Sequence, residues 1–220
     1  MDASKSTDTP AKPSSKRIWH IAMLVALIGG GIWLWKDVIE DRVIPKRWGV
    51  VEAGRIYRSG QLSSALVKRM LSEHHIKVIV ALLAEEPDKA DHRAEVQAAD
   101  ELGIELKRFP LRGDGTGDLE RYADALTAIV EADRAHKPVL VHCAAGAQRT
   151  GGAVAFYRLL VEKRSPEFVI KELKRYDHDP DDNPALLKYI NEHIDELATM
   201  LEARGVIDQA PESIPVLAAR

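Results

Sequence analysis

Cys143 is the only cysteine among the 220 residues, and Arg149, Thr150 and Gly151 follow it at a fixed short distance. His142 stands directly before it. A thiolate is a strong nucleophile, and a guanidinium presents a planar fork that matches two oxygens of a phosphate group. Between them lie Ala144, Ala145, Gly146, Ala147 and Gln148, all uncharged and mostly small. Side chains this short let backbone N–H groups approach a ligand. Thr150 can offer a hydroxyl to the sulfur when it has to leave. A nucleophilic thiolate, a run of N–H donors and a bidentate arginine together imply attack on a phosphate ester.

Such a constellation works only if the chain turns sharply between two rigid elements. Val139-Leu140-Val141-His142, introduced by Pro138, reads as a buried strand, and the residues from Gly152 to Lys163 read as a helix. Cys143 therefore falls where a strand hands over to a helix N-terminus. Backbone N–H groups and the positive end of the helix dipole converge there and favour a bound anion.

The pattern His142-Cys143, five residues, Arg149-Thr150-Gly151 resembles the phosphate loop of the cysteine-dependent protein tyrosine and dual-specificity phosphatases. Arg55-Ile56-Tyr57-Arg58-Ser59-Gly60-Gln61 is similar to the opening strand motif of their atypical bacterial, plant and fungal branch. The likeness runs from about residue 50 to 173. It implies that Cys143 attacks phosphorus to give a phosphocysteine, while Arg149 and the loop from Ala144 to Gln148, with Thr150, bind the phosphoryl group. It also implies an aspartate general acid, from a loop before the helix that precedes the cysteine strand. Asp114 and Asp118 both fit. Asp118 directly precedes Leu119-Glu120-Arg121 and can cap that helix. Asp114, between Gly113 and Gly115, has no such task, so the acid is assigned to Asp114.

Apart from Arg149 the loop carries no charge. Extra phosphates on a substrate would go uncompensated, which favours a single phosphate monoester. Gln148 can hold the attacking water of the second step, or simply pack. Arg58 can lend charge near the phosphate, but its preferred reading is an exposed strand arginine. No metal or cofactor is required. Three other readings use some of the same residues: a lipid- or sugar-phosphate phosphatase, a phosphate-binding module without turnover, and a rhodanese-like sulfur carrier. The five-residue spacing to Arg-Thr-Gly speaks against the carrier.

With 31 basic and 34 acidic residues and a net charge of −3, nothing points to a nucleic-acid partner. Residues 1–15, rich in Ser, Thr, Pro and Lys, read as a disordered tail. Residues 18–35 are uncharged and bear Trp19 near one end and Trp33 and Trp35 at the other. As a helix they would span about 27 Å, near a hydrocarbon core of about 30 Å. A single-pass membrane anchor over 16–36 is preferred to a cleaved signal peptide or a buried core helix. Its short basic tail puts the large domain outside the cytoplasmic membrane. Residues 37–48 read as a linker, 49–205 as the phosphatase-like domain and 206–220 as a loose tail.

Within the domain, strands alternate with helices. The expected fold is α/β, a central mostly parallel sheet flanked by helices. Ser63 or Ser64 caps a helix from 65, Pro87-Asp88 opens another to Leu102, and 111–117 form a mobile Gly-rich loop. Asp177–Asn183 begins like a calcium loop but carries Asp182 and Lys188 where an EF-hand needs Gly and Glu. Asp182-Asn183 reads instead as a helix cap.

Overall fold

Strand alternation decides what surrounds the cysteine. In the computed structural model, which describes residues 40–211 and 216–218 together with 19, 23–25 and 27–31, Val139–Cys143 forms the middle strand of a five-stranded sheet. The strands are β1 (Gly49–Glu52), β2 (Ile56–Gly60), β3 (Val78–Ala81), β4 (Glu105–Arg108) and β5 (Val139–Cys143), in the order β1-β2-β5-β3-β4. Only the β1–β2 pair is antiparallel. Side chains alternate faces along a strand. Val139, Val141 and Cys143 accordingly join one hydrophobic cluster with Val78, Val80 and Leu82. Leu140 joins the other with Ile79 and Ala81, and His142 shares its face.

Helices cover both faces. α1 (Val67–Glu73) and α2 (Ala90–Leu102) supply Val67, Met70, Leu71, Ala98 and Ala99 to the second cluster. α3 (Leu119–Arg134), α4 (Gln148–Phe156), α5 (Pro166–Arg175) and α6 (Ala185–Ala203) build the first. The expected α/β architecture is therefore present. α4 passes into a π-helical turn, Tyr157–Val161, which carries Arg158 into the interior.

Several local expectations are corrected. No serine caps α1: Leu66 stands at the N-cap without a side-chain hydrogen bond, and Ser63 contributes its carbonyl to Leu66 and Val67 instead. α2 starts at Ala90, after Lys89. α4 starts at Gln148 rather than Gly152, so Arg149 is already helical. Neither Asp182 nor Asn183 caps α6, whose N-cap is Pro184. Among the described residues no cluster of Asp, Glu, His and Cys could hold a metal ion.

The chain divides into two compact units, Met1–Asp41 and Arg42–Arg220. In the first, Trp19, residues 23–25 and residues 27–31 are helical and exposed. The rest of the expected anchor, and the expected disordered tail, lie outside the described residues. Among the described residues no helix is long and apolar enough to cross a membrane. In the second unit, the end of the expected linker is structural, since Lys46 accepts a hydrogen bond from the Gly60 amide. The expected loose tail is also partly anchored. Val206, Ile207 and Leu217 are buried, and the Leu217 backbone exchanges two hydrogen bonds with the Asn191 side chain.

Candidate active site

Cys143 ends β5, is buried, and lies at the mouth of the loop that leads into α4. Its Sγ accepts a hydrogen bond from the Gly146 amide at 3.2 Å. The loop is held from outside by its carbonyls. Ala144 O accepts from the Gln61 amide at 3.0 Å, Ala145 O from the Arg47 guanidinium at 2.8 Å, and Gly146 O from the Arg58 guanidinium at 2.9 Å. A planar trans peptide sets its N–H opposite its C=O. Three carbonyls turned outward therefore turn the amides of Ala145, Gly146 and Ala147 inward, toward the sulfur side. That is the geometry of an anion cradle.

Gly146 is required at its position. Its φ is +82°, and a Cβ there would stand 2.5 Å from the Gly60 nitrogen. The loop is thus pressed against the end of β2, which brings the Arg58 motif to the phosphate loop. The parallel register, Arg58 opposite Val141 and Gly60 opposite Cys143, sets this contact.

Arg58 is not the exposed strand arginine expected from the sequence; it is fully buried. Its guanidinium lies 3.8 Å over the Tyr176 ring, and its Nε and remaining terminal nitrogen have no hydrogen-bond partner. Burial is the main force on its pKa and lowers it to about 10. The strand's alternation could not reveal this, because β2 is buried on both faces.

Arg149 follows Gln148 at the start of α4 and donates to Leu82 O at 3.3 Å. Thr150 is buried and donates to Ser59 O at 3.4 Å, so its hydroxyl serves the β2 contact rather than the sulfur. His142 points to the opposite face, where its Nε2 lies 2.9 Å from Glu95 Oε1. Glu95 is itself buried on α2, and takes Gln61 Nε2 and Arg108 at 3.0 Å each. Burial would raise its carboxyl, but His142 and Arg108 outweigh that and hold it at about 2.

Both aspartates have structural tasks. Asp118 caps α3 as expected, accepting from the Glu120 amide at 3.0 Å. Asp114, expected to have none, accepts from the Thr116 amide at 2.9 Å and hydroxyl at 2.8 Å. The amide bond is the main cause that lowers its pKa. The 111–117 loop is tethered rather than free: Tyr122 donates to Gly115 O and Tyr189 to Gly117 O. Burial drives the Tyr122 phenol well above its usual range, with Tyr189, Cys143 and Asp114 adding and Arg149 opposing. Asp114, Cys143 and Arg149 thus all lie within electrostatic reach of one hydroxyl.

The sequence reading overlooked Glu95, Arg47, Tyr176 and His178. Arg47 and Asp177 are paired at 2.8 Å, and His178 meets Gln148. Only the segment's charge density could have drawn attention to it.

Comparison with known proteins agrees with this geometry. A family model described as DSP-PTPase phosphatase fused to NAD+ kinase matches residues 35–186. The dual specificity protein phosphatase OPG106 of Vaccinia virus (strain Western Reserve) is 40% identical over 63 residues, 28% of this chain and 37% of the viral protein. The chain thus spans little more than a third of that relative's length. P. aeruginosa TpbA shares the fold at a TM-score of 0.57 and 23% identity, covering 70% of this chain and 89% of TpbA. The catalytic domain of the S. cerevisiae PP-IP phosphatase SIW14 does so at 0.58 and 20%, covering 76% and 98%. With the family model spanning both the Arg58 strand and the Cys143 loop, the chain belongs to the PTP-NADK family of dual-specificity-type phosphatase domains.

Proposed function

We propose that this chain is a cysteine phosphatase that hydrolyses phosphate monoesters, of the phosphotyrosine or dual-specificity type, through a phosphocysteine. The observation that carries the reading is the Gly146 amide on Cys143 Sγ within a loop whose carbonyls are tied outward. The same amides that face the sulfur face a phosphoryl group bound to it.

In the first step Cys143 Sγ attacks phosphorus. The P–O bond breaks, and the leaving oxygen takes a proton from Asp114. Arg149 must exchange Leu82 O for two phosphoryl oxygens, and the inward amides take the remaining charge. Asp114 must release Thr116 and bind a proton before it can act. In the second step a water attacks phosphorus, gives its proton to Asp114 and frees the thiolate. The uncharged loop from Ala144 to Gln148 favours substrates with one phosphate. TpbA, which shares the fold, is known as a complex with phosphotyrosine. The exposed apolar side chains of Trp19, Met23, Leu24, Val25, Leu27 and Ile28 support a membrane anchor over 18–35, and the short basic tail before it favours a catalytic domain outside the cytoplasmic membrane.

The test is turnover by the full chain of p-nitrophenyl phosphate, phosphotyrosine, phosphoserine, lipid phosphates and sugar phosphates in parallel. Cys143→Ser is expected to abolish phosphate release while leaving the thermal midpoint in place. Equal activity in both chains would overturn the assignment, and a preference for lipid or sugar phosphates would shift the substrate class.

A further inference from the structure

The segment after α5 carries a buried histidine that none of the steps above uses. Asp177 adopts φ +59°, and the His178 amide bonds back to Leu173 O at 3.0 Å. The chain is thereby fixed where it doubles back. His178 is 2% exposed, and its Nδ1 lies 2.6 Å from Gln148 Oε1. Its other ring nitrogen is buried without a hydrogen-bond partner. Burial lowers the pKa of this ring, with Asp179 opposing. The neutral ring then keeps its proton on Nδ1, because only that nitrogen has an acceptor.

Gln148 sits at a junction. It opens α4 and immediately precedes Arg149. On its other side is the loop of Asp114: Gly115 approaches so closely that a Cβ there would lie 3.0 Å from Gln148 O. An imidazole donating to Oε1 fixes which end of the carboxamide faces away from it. The NH2 end is then the free end, at a residue between the proposed acid and the phosphate-binding arginine. A side chain that merely filled space would not need a polar ring buried with one nitrogen unpartnered, which opposes folding.

We propose that His178 is a positioning residue for the second half-reaction: it holds the Gln148 carboxamide so that its NH2 group orients the water that attacks the phosphocysteine. The water oxygen bonds to phosphorus as the P–S bond breaks. The electron pair returns to Cys143 Sγ, and the water proton passes to Asp114, so inorganic phosphate leaves and the acid is restored. The first step, attack on the ester, does not involve Gln148 in this way. The proposal rests on the phosphocysteine reading above.

Rapid mixing of the full chain with p-nitrophenyl phosphate separates the two steps, together with the intact mass of acid-quenched protein. The burst of p-nitrophenol reports the first step, and the steady rate reports the second. His178→Ala and Gln148→Ala are each expected to keep the burst rate within about threefold and to slow the steady rate about tenfold or more, as misorientation of a reactant does. Phosphorylated protein should accumulate in both. The double variant should be no slower than Gln148→Ala alone. His178→Asn retains an N–H donor and should recover part of the rate, which covers the case in which the alanine variant fails to fold. Burst and steady rates that fall together, or that do not change, would overturn the role of His178 alone. A wild-type chain that turns over ester without any phosphorylated Cys143 would instead overturn the phosphocysteine reading, and this proposal with it.

Discussion

Arg58 and Arg158 are both buried, yet they are treated in opposite ways. Arg158 is surrounded by carboxylates. It donates to both oxygens of Glu172 at 2.9 and 3.0 Å, to Glu162 at 2.6 Å, to Glu52 at 3.1 Å and to Val51 O at 2.9 Å. Arg58 has one carbonyl, Gly146 O, and the face of Tyr176. Burial lowers the pKa of both. At Arg158 the carboxylates outweigh burial and raise it, whereas at Arg58 burial prevails. A buried cation with a full set of partners ties elements together: here the end of β1, the π-helical turn and α5. A buried cation left short of partners opposes folding. Arg58 holds the Gly146 carbonyl, and with it the Ala147 amide of the same peptide, on the side of the loop that faces Cys143.

The largest effect should come from breaking the saturated arginine. Arg158→Met leaves the largely shielded Glu172 without its cation and Glu162, also largely shielded, with Arg164 alone. Loss of one partner from such a cluster costs about 3 kcal/mol or more. Urea unfolding should show this, while kcat per folded molecule stays within about twofold, since among the described residues the hydrogen-bond partners of the Arg158 side chain, Glu52, Val51, Glu162 and Glu172, all lie outside the phosphate loop. A steep loss of kcat in well-folded protein would mean the two arginines are not separate in function.

Next in size is a buried anion with cationic partners, Glu95. Its folded-state pKa of about 2 lies below the ordinary value of 4.5. The group therefore contributes stability that is present above about pH 4.5 and is lost as pH falls toward 2. By linkage the contribution is about 3 kcal/mol. Glu95→Gln should flatten the acid limb of the stability profile. An unchanged acid limb in that variant would show that Arg108 and His142 do not hold the carboxylate as the geometry requires.

How much of this was legible in the sequence follows from the range of the interactions. Cys143, Arg149 and the strand-loop-helix around them are local, and local spacing displays them. The α/β architecture is legible for the same reason, because alternating apolar runs and caps such as Asp118 are short-range signals. Arg58 is not: its burial depends on a parallel partner strand more than eighty positions away, and alternation on a strand buried on both faces carries no sign of it. Glu95 looks like any helix glutamate until His142 and Arg108 are brought across the sheet. Asp114 shows the reverse. Its bond to Thr116 is local, but flanking glycines read as freedom when the loop is in fact tethered by Tyr122 and Tyr189.

The smallest effect on stability, with a distinct one on rate, should come from the under-partnered arginine. Arg58→Met keeps much of the volume over Tyr176 and removes a buried charge. The lost hydrogen bond to Gly146 O is worth about 1 kcal/mol, and relief of the buried cation offsets part of it. The thermal midpoint should therefore move little. The Gly146–Ala147 peptide, however, is then free to rotate, and its N–H, that of Ala147, is one of the amides turned toward the sulfur side. Misplacing one such donor should lower kcat about 10- to 100-fold, somewhat less than removing it outright. KM should change less than kcat, because the proposed grip of Arg149 on the ground-state phosphate is untouched. Arg58→Lys can reach Gly146 O with a single N–H but cannot lie flat on Tyr176, so it should recover only part of the rate. If Arg58→Met instead unfolds the protein as readily as Arg158→Met, the two arginines do the same work, and Arg58 stabilises the fold rather than the loop. If it leaves kcat untouched, the Gly146–Ala147 peptide is held by the tight contact of Gly146 with Gly60 alone.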